Sequence, residues 1–171
     1  MNVLYLAAAF SLSLLLQSTI LPRILPHWLV TGFELPLMVT VHMAVTRGKF
    51  SGMASGLLLG YIQDALGGGV IGINGIAKIS AGYVGGMLRE KFFVNSLKHR
   101  LGSILGGVAM GIVGKMAVLS LFSLPLPSVS ALFLLWVIPL NTFFALVLHS
   151  ILNRVEVRIG IKEEDELDFG N

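Results

Sequence analysis

Cysteine is absent from the 171 residues. Its absence removes disulfides, thiolate nucleophiles and every Cys-based zinc or iron–sulfur site. Charge is scarce as well. Charged residues make up 12% of the chain, about half the ~25% of an ordinary soluble domain. So few polar groups cannot coat a soluble globule, and the apolar surface must face lipid. Catalytic signatures are missing too: there is no HExxH, no GxSxG and no paired-carboxylate pattern, so no catalytic residue is assigned. The 20 glycines contain neither a phosphate loop nor a dinucleotide fingerprint, so no cofactor is assigned. Residues 1–21 hold no Lys or Arg and no small-residue cleavage site closes the run, which reads as a retained helix and not a signal peptide.

What is present is apolar sequence in long runs. Hydrophobic residues make up 55% of the chain and the mean hydropathy is +0.86. A spanning helix needs ~20 mainly apolar residues. Six segments fit that pattern, at residues 3–21, 33–45, 50–66, 70–88, 101–122 and 131–152. The second and third are the shortest and could form one re-entrant hairpin. Pro22 and Pro26 are expected to break the chain after the first segment. Arg47-Gly48-Lys49, Gly67-Gly68-Gly69 and the Pro125/Pro127 pair mark later turns. The predicted fold is an all-α integral membrane protein: a six-transmembrane-helix bundle over residues 1–153 and a charged cytoplasmic tail over 154–171.

The basic residues set an orientation. The net charge of +3 and pI near 9.5 could suggest nucleic acid, but the cations sit in short clusters between apolar runs. Arg47, Lys49, Arg89, Lys91, Lys98, Arg100, Arg154, Arg158 and Lys162 fall on one side of the predicted spans, and Arg23 falls on the other. Under the positive-inside rule the crowded side is cytoplasmic. With an even helix count both termini are cytoplasmic. An even count also requires the second and third segments to be separate spans.

Three groups of residues interrupt the apolar runs. Gly52, Gly56 and Gly60 recur at i, i+4 and i+8 and line one helix face, where a second backbone can approach closely. Gly82 and Gly86, and the glycines of the fifth segment, do likewise. They serve either packing within the bundle or a partner helix. The second group is ionisable and lies at overlapping depths: Glu34 and Asp64 toward the outer side, Lys115 in the outer half of its segment and Lys78 near the middle of its own. A charge at a helix centre costs about 2.5–3.5 kcal/mol on insertion scales, so ion pairs are expected. Asp64 with Lys78 or Lys115 is the preferred pairing, against lysines snorkelling to the headgroups. The third group is Gln17, His42, Asn74, Asn141 and His149, each expected to hydrogen-bond across helices. A metal needs several convergent ligands, and no metal site is assigned. The acidic run at 162–168 is expected to be a solvated end.

Residues 35–89 resemble the MreD family of bacterial rod shape-determining proteins. The resemblance rests on Pro36 in an apolar helix, Arg47-Gly48 at its end, then Gly52, Gly56, Gly60 and Asp64. A glycine-rich turn with Gly72 and Gly75 follows, then Gly82-Tyr83 and Gly86. It implies a non-enzymatic component of the cell-elongation machinery in the bacterial inner membrane. The implied partner is MreC, a largely periplasmic protein with one membrane anchor. MreB filaments, RodA and its partner transpeptidase would be reached indirectly, and membrane lipids would surround the bundle. The family's fold is similar to the substrate-binding subunits of energy-coupling-factor transporters. A vitamin-binding transporter subunit is therefore the competing reading, although the outer turns offer few ligand groups beyond His27, Trp28 and Glu34. A small enzyme acting on lipid-linked substrates is a third.

Overall fold

The computed structural model describes residues 3–26, 30, 32–68, 70–91, 97–126 and 131–160. The acidic run at 162–168, and His27, Trp28, Gly69 and Pro127, lie outside them. Among the described residues the chain is all-α. The first helix, α1, spans Val3–Leu15 and continues through a π turn, Leu16–Ile20, into one last turn, Leu21–Ile24. Then come α2 (Leu35–Arg47), α3 (Lys49–Gly67), α4 (Ile73–Lys91), α5 (Leu97–Leu121) and α6 (Ala131–Arg158). Three stretches, Tyr5–Ile24, Lys98–Leu121 and Phe133–Arg158, are long and apolar enough to cross a membrane. They mark the chain as a multi-pass membrane protein.

The first break falls later than expected. Pro22 sits inside the last turn of α1, at a helix start that tolerates a missing N–H, and the wide π turn precedes it. The chain leaves the helix at Leu25, whose extended backbone (φ −98°, ψ 144°) suits the residue before Pro26. The second and third segments are separate helices joined by Gly48 alone. Its φ of +90° belongs to a region that other residues rarely enter. At the other end, α6 continues past Asn153 to Arg158, beyond the boundary drawn from composition.

The centre of the fold is α2. Every residue from Pro36 to Val45 is buried, because α2 is enclosed by α1, α3, α4, α5 and α6. At 13 residues it is about 20 Å long, short of the ~30 Å hydrocarbon layer. Leu37, Met38, Val41 and Val45 meet Ala81 of α4, Ile104, Val108 and Ile112 of α5, and Val137 and Ala145 of α6 in one apolar core. Its polar side chains are answered within the protein: Thr40 and Thr46 donate to carbonyls one turn back, and His42 meets His149 of α6.

The glycine stripes close the antiparallel pair α3–α4. An ideal Cβ at Gly56 would lie 2.5 Å from the Lys78 carbonyl oxygen. One at Gly82 would strike the backbone of Gly52, one at Gly52 would strike Ala44 of α2 first and then the Gly82 carbonyl, one at Gly60 the backbone of Asn74 and Gly75, and one at Gly86 the backbone of Lys49. All five predicted packing glycines are therefore occupied within the chain, and their faces are not open to a partner. The same alternation of helices gathers Arg47, Lys49, Glu90 and Glu156 at one end. There Lys49 pairs with Glu90 at 2.9 Å and Arg47 with Glu156 at 3.0 Å.

This packing predicts a sharp contrast between glycines. Gly56→Ala should force α3 and α4 apart and destabilise by about 1–3 kcal/mol. Gly102→Ala, which meets nothing within 4 Å, should leave stability unchanged or slightly raised. Thermal unfolding in mild detergent checks both, and equal melting of the two variants would refute the close backbone contact.

Candidate functional site: one carboxylate between two ammoniums

Between α1 and α2 the backbone is not helical at Phe33 and Glu34. Unwound backbone inside a membrane protein must have its polar groups satisfied by the protein itself. Two side-chain amides do this. Gln17, in the π turn of α1, donates to the Phe33 carbonyl at 2.8 Å and accepts from the Leu35 N–H at 3.0 Å. Asn141 of α6 accepts from the Glu34 N–H at 3.0 Å and donates to the Gly32 carbonyl at 2.6 Å. The two amides act as surrogate strand edges on either side of a short strap. The Phe33 ring packs edge-on against Phe144 of α6, with centroids 5.0 Å apart.

The strap presents the Glu34 carboxylate to two lysines. Lys78 of α4 donates to Oε2 at 3.0 Å, and Lys115 of α5 donates to Oε1. Lys78 is 1% exposed, whereas the Lys115 side chain is 30% exposed. Lys78 also donates to Asn74 Oδ1 at 3.4 Å. The Asn74 amide in turn donates to Asp64 Oδ1 at 2.6 Å. The four ionisable residues singled out from the sequence thus join in one chain of contacts, Asp64–Asn74–Lys78–Glu34–Lys115.

The pairing inside that chain differs from the one expected. Asp64 does not take a lysine as its direct partner; Glu34 takes both. The reason lies in the turn before α4. Asp64 accepts the backbone N–H of Gly72 at 2.8 Å and of Asn74 at 3.1 Å, besides the Asn74 amide. These donors are the orphan amides of the first turn of α4, and Asp64 caps them from the end of α3. That cap starts α4 at Ile73, three residues after the expected start at residue 70.

A crevice of about 50 Å³ opens beside the Glu34–Lys115 pair. It is lined by Gly32, Ile112, Met116, Leu119, Phe133 and Val137. The volume suits a few water molecules and is far below the ~300–1,000 Å³ of sites that enclose an organic ligand.

A second polar group lies toward the basic end. His42 Nδ1 of α2 and His149 Nδ1 of α6 are 3.0 Å apart, and both rings are buried. Asn153 contacts His149 Nε2 at 3.1 Å, and His42 Nε2 is 3.6 Å from Glu156 Oε1. Glu156 was assigned to the charged tail; it is 0% exposed and belongs to this group. A signal was available: Asn141, His149, Asn153 and Glu156 follow the helical period, so polar residues recur along one face of α6. Among the described residues no cluster of three or more His, Cys, Asp or Glu could hold a metal.

Comparison of the chain with protein-family models, with curated proteins and with solved structures gives no match.

The geometry ranks the charges. Glu34→Gln would leave the buried Lys78 ammonium without its carboxylate and should cost about 3–5 kcal/mol, as one-sided loss of a buried pair does. Lys115→Gln leaves the Lys78–Glu34 pair in place and should cost less. Asp64→Asn retains an acceptor oxygen for the α4 cap and should also cost less than Glu34→Gln. Detergent melting curves of the three variants check the order; Asp64→Asn proving the most damaging would restore a direct lysine pairing for Asp64.

Proposed function

We propose that the chain is a non-enzymatic scaffold of the MreD type. In this reading it is a six-span bundle of a bacterial inner membrane with both termini in the cytoplasm. It packs against the membrane anchor of MreC and helps couple MreB filaments, RodA and its partner transpeptidase to wall synthesis. The observation that carries the reading is the unit α2–α3–α4. The residues behind the resemblance (Gly52, Gly56, Gly60, Asp64, Gly82 and Gly86) all serve one closely packed helix pair and its capped turn. The gathering of Arg47, Lys49, Arg154 and Arg158 toward one end of the helices supports a cytoplasmic assignment for that end.

The competing reading, a vitamin-binding transporter subunit, needs a ligand-sized cavity on the opposite side. The crevice at Glu34 is about 50 Å³, and its two charged side chains already answer each other. The crevice at Glu34 therefore lends the transporter reading no support. The glycine faces of α3 and α4 are occupied within the bundle, so a partner helix would meet one of the exposed apolar faces instead, such as Leu12 and Leu15 of α1, Leu57 and Tyr61 of α3, or Leu135 and Phe143 of α6.

A mild-detergent pull-down of tagged protein from its native host, read by mass spectrometry, tests this. Recovery of MreC together with RodA or the transpeptidase is the expected result. Recovery of transporter ATPases and a coupling subunit would replace the scaffold with vitamin uptake.

A further inference from the structure

The buried histidines are not used by the scaffold reading, and their geometry limits what they can hold. An Nδ1–Nδ1 contact of 3.0 Å is a hydrogen bond with one proton between the rings. With the Asn153 amide nitrogen as donor, His149 Nε2 accepts at 3.1 Å. The hydrogen of a neutral His149 ring then sits on Nδ1 and is donated to His42 Nδ1. The hydrogen of His42 consequently sits on Nε2, the atom that faces Glu156 Oε1 at 3.6 Å. Asn153, His149 and His42 form a directed line of hydrogen bonds, and its last nitrogen lies within ion-pair range of the Glu156 carboxylate, at 3.6 Å, too far for a hydrogen bond.

One proton can be added to this line without breaking it. It enters at His149 Nε2 while the Asn153 amide turns its oxygen toward the ring. The central N–H–N contact survives, and the added charge spreads over both rings toward Glu156. A second proton has no such place. Both Nδ1 atoms would then carry hydrogens and point them at each other across 3.0 Å, so the rings, and with them α2 and α6, would have to separate. We propose that His42 and His149 form a buried binding site for one proton, shared between the rings, with the Glu156 carboxylate as counter-charge.

The surroundings fit that role. From α2, Arg47 reaches Glu156 at 3.0 Å and fixes the position of the carboxylate. From α1, Tyr5 lies beside Glu156. The Lys49–Glu90 pair of α3 and α4 closes the end of α2 at Gly48. From α5, apolar Ile104 and Val108 cover α2, with His99 and Arg100 at the start of that helix. Ionisable residues buried inside a membrane protein mark ion and proton sites, and apolar residues alone would join α2 to α6 at lower cost.

The chain has four histidines, His27, His42, His99 and His149, so nitrogen NMR of ¹⁵N-histidine-labelled protein in detergent micelles can resolve them. Between about pH 8 and pH 4, either side of the ordinary histidine range, His42 and His149 should shift together in one step worth one proton. A scalar coupling between their Nδ1 nuclei should persist through it. His42→Gln should abolish the coupling and the shared step. Glu156→Gln should move the step at least about one pH unit lower, a tenfold loss of proton affinity. Two independent steps totalling two protons in the folded protein would overturn the proposal. So would rings that stay neutral throughout, or a Glu156→Gln midpoint equal to wild type. The coupling and proton count are read on the wild-type chain, so the test does not depend on the variants folding.

Discussion

Lys78 is 1% exposed, and where its ammonium points decides how the chain leaves α1 and enters α2. A buried cation must have its counter-charge and its hydrogen-bond acceptors within the protein. Glu34 supplies the charge, but a helix continuing unbroken from α1 could not bring it there. The chain instead unwinds at Phe33 and Glu34, and the unwound backbone then needs partners of its own. Gln17 and Asn141 supply them from opposite sides. One buried ammonium thus ties together α1, the strap, α2, α4 and α6, and Lys115 adds α5. Each member answers a desolvation cost set by another, so the network behaves as one unit and not as separable pairs.

The close approach of α3 and α4 is the other half of the same arrangement. Gly56 lies against the carbonyl of Lys78 itself, so the position of the lysine backbone is fixed by the absence of a side chain on the neighbouring helix. A bulkier residue there would displace Lys78 from Glu34. Without a hydrophobic drive between helices in lipid, van der Waals contact between backbones is what remains to hold them, and it is greatest where glycine faces glycine, as at Gly52 and Gly82.

Much of this was legible in the sequence, and the reason is periodicity. The six apolar segments correspond to the six helices among the described residues, because hydropathy and glycine spacing are local properties. The glycines at i, i+4 and i+8 had to share a face whatever the rest of the chain did. The partner of Asp64 was not legible. Both pairings on offer assumed that charges of opposite sign meet, whereas the amides of Gly72 and Asn74, only 8 and 10 residues away, reach the carboxylate first. Backbone donors carry no signature in a list of side chains. Glu156 was missed for a related reason: charge density beyond Asn153 suggested a solvated tail, while the helical register of α6 continued the polar face through Glu156 and buried it.

The two polar groups sit toward opposite ends of α2, and the apolar middle of that helix joins them. Glu34 precedes its first turn; His42 and Arg47 belong to its last two. A helix shorter than the hydrocarbon layer is normally free to shift along its axis or tilt to suit the bilayer. Here a slide of one turn would pull Glu34 from Lys78 or His42 from His149, so both ends resist it. The Lys49–Glu90 and Arg47–Glu156 pairs hold the basic end further. Lipid does not set the position of α2, because none of its core residues touches lipid. Its position is set by two buried polar clusters, Glu34 with Lys78 at one end and His42 with His149 at the other.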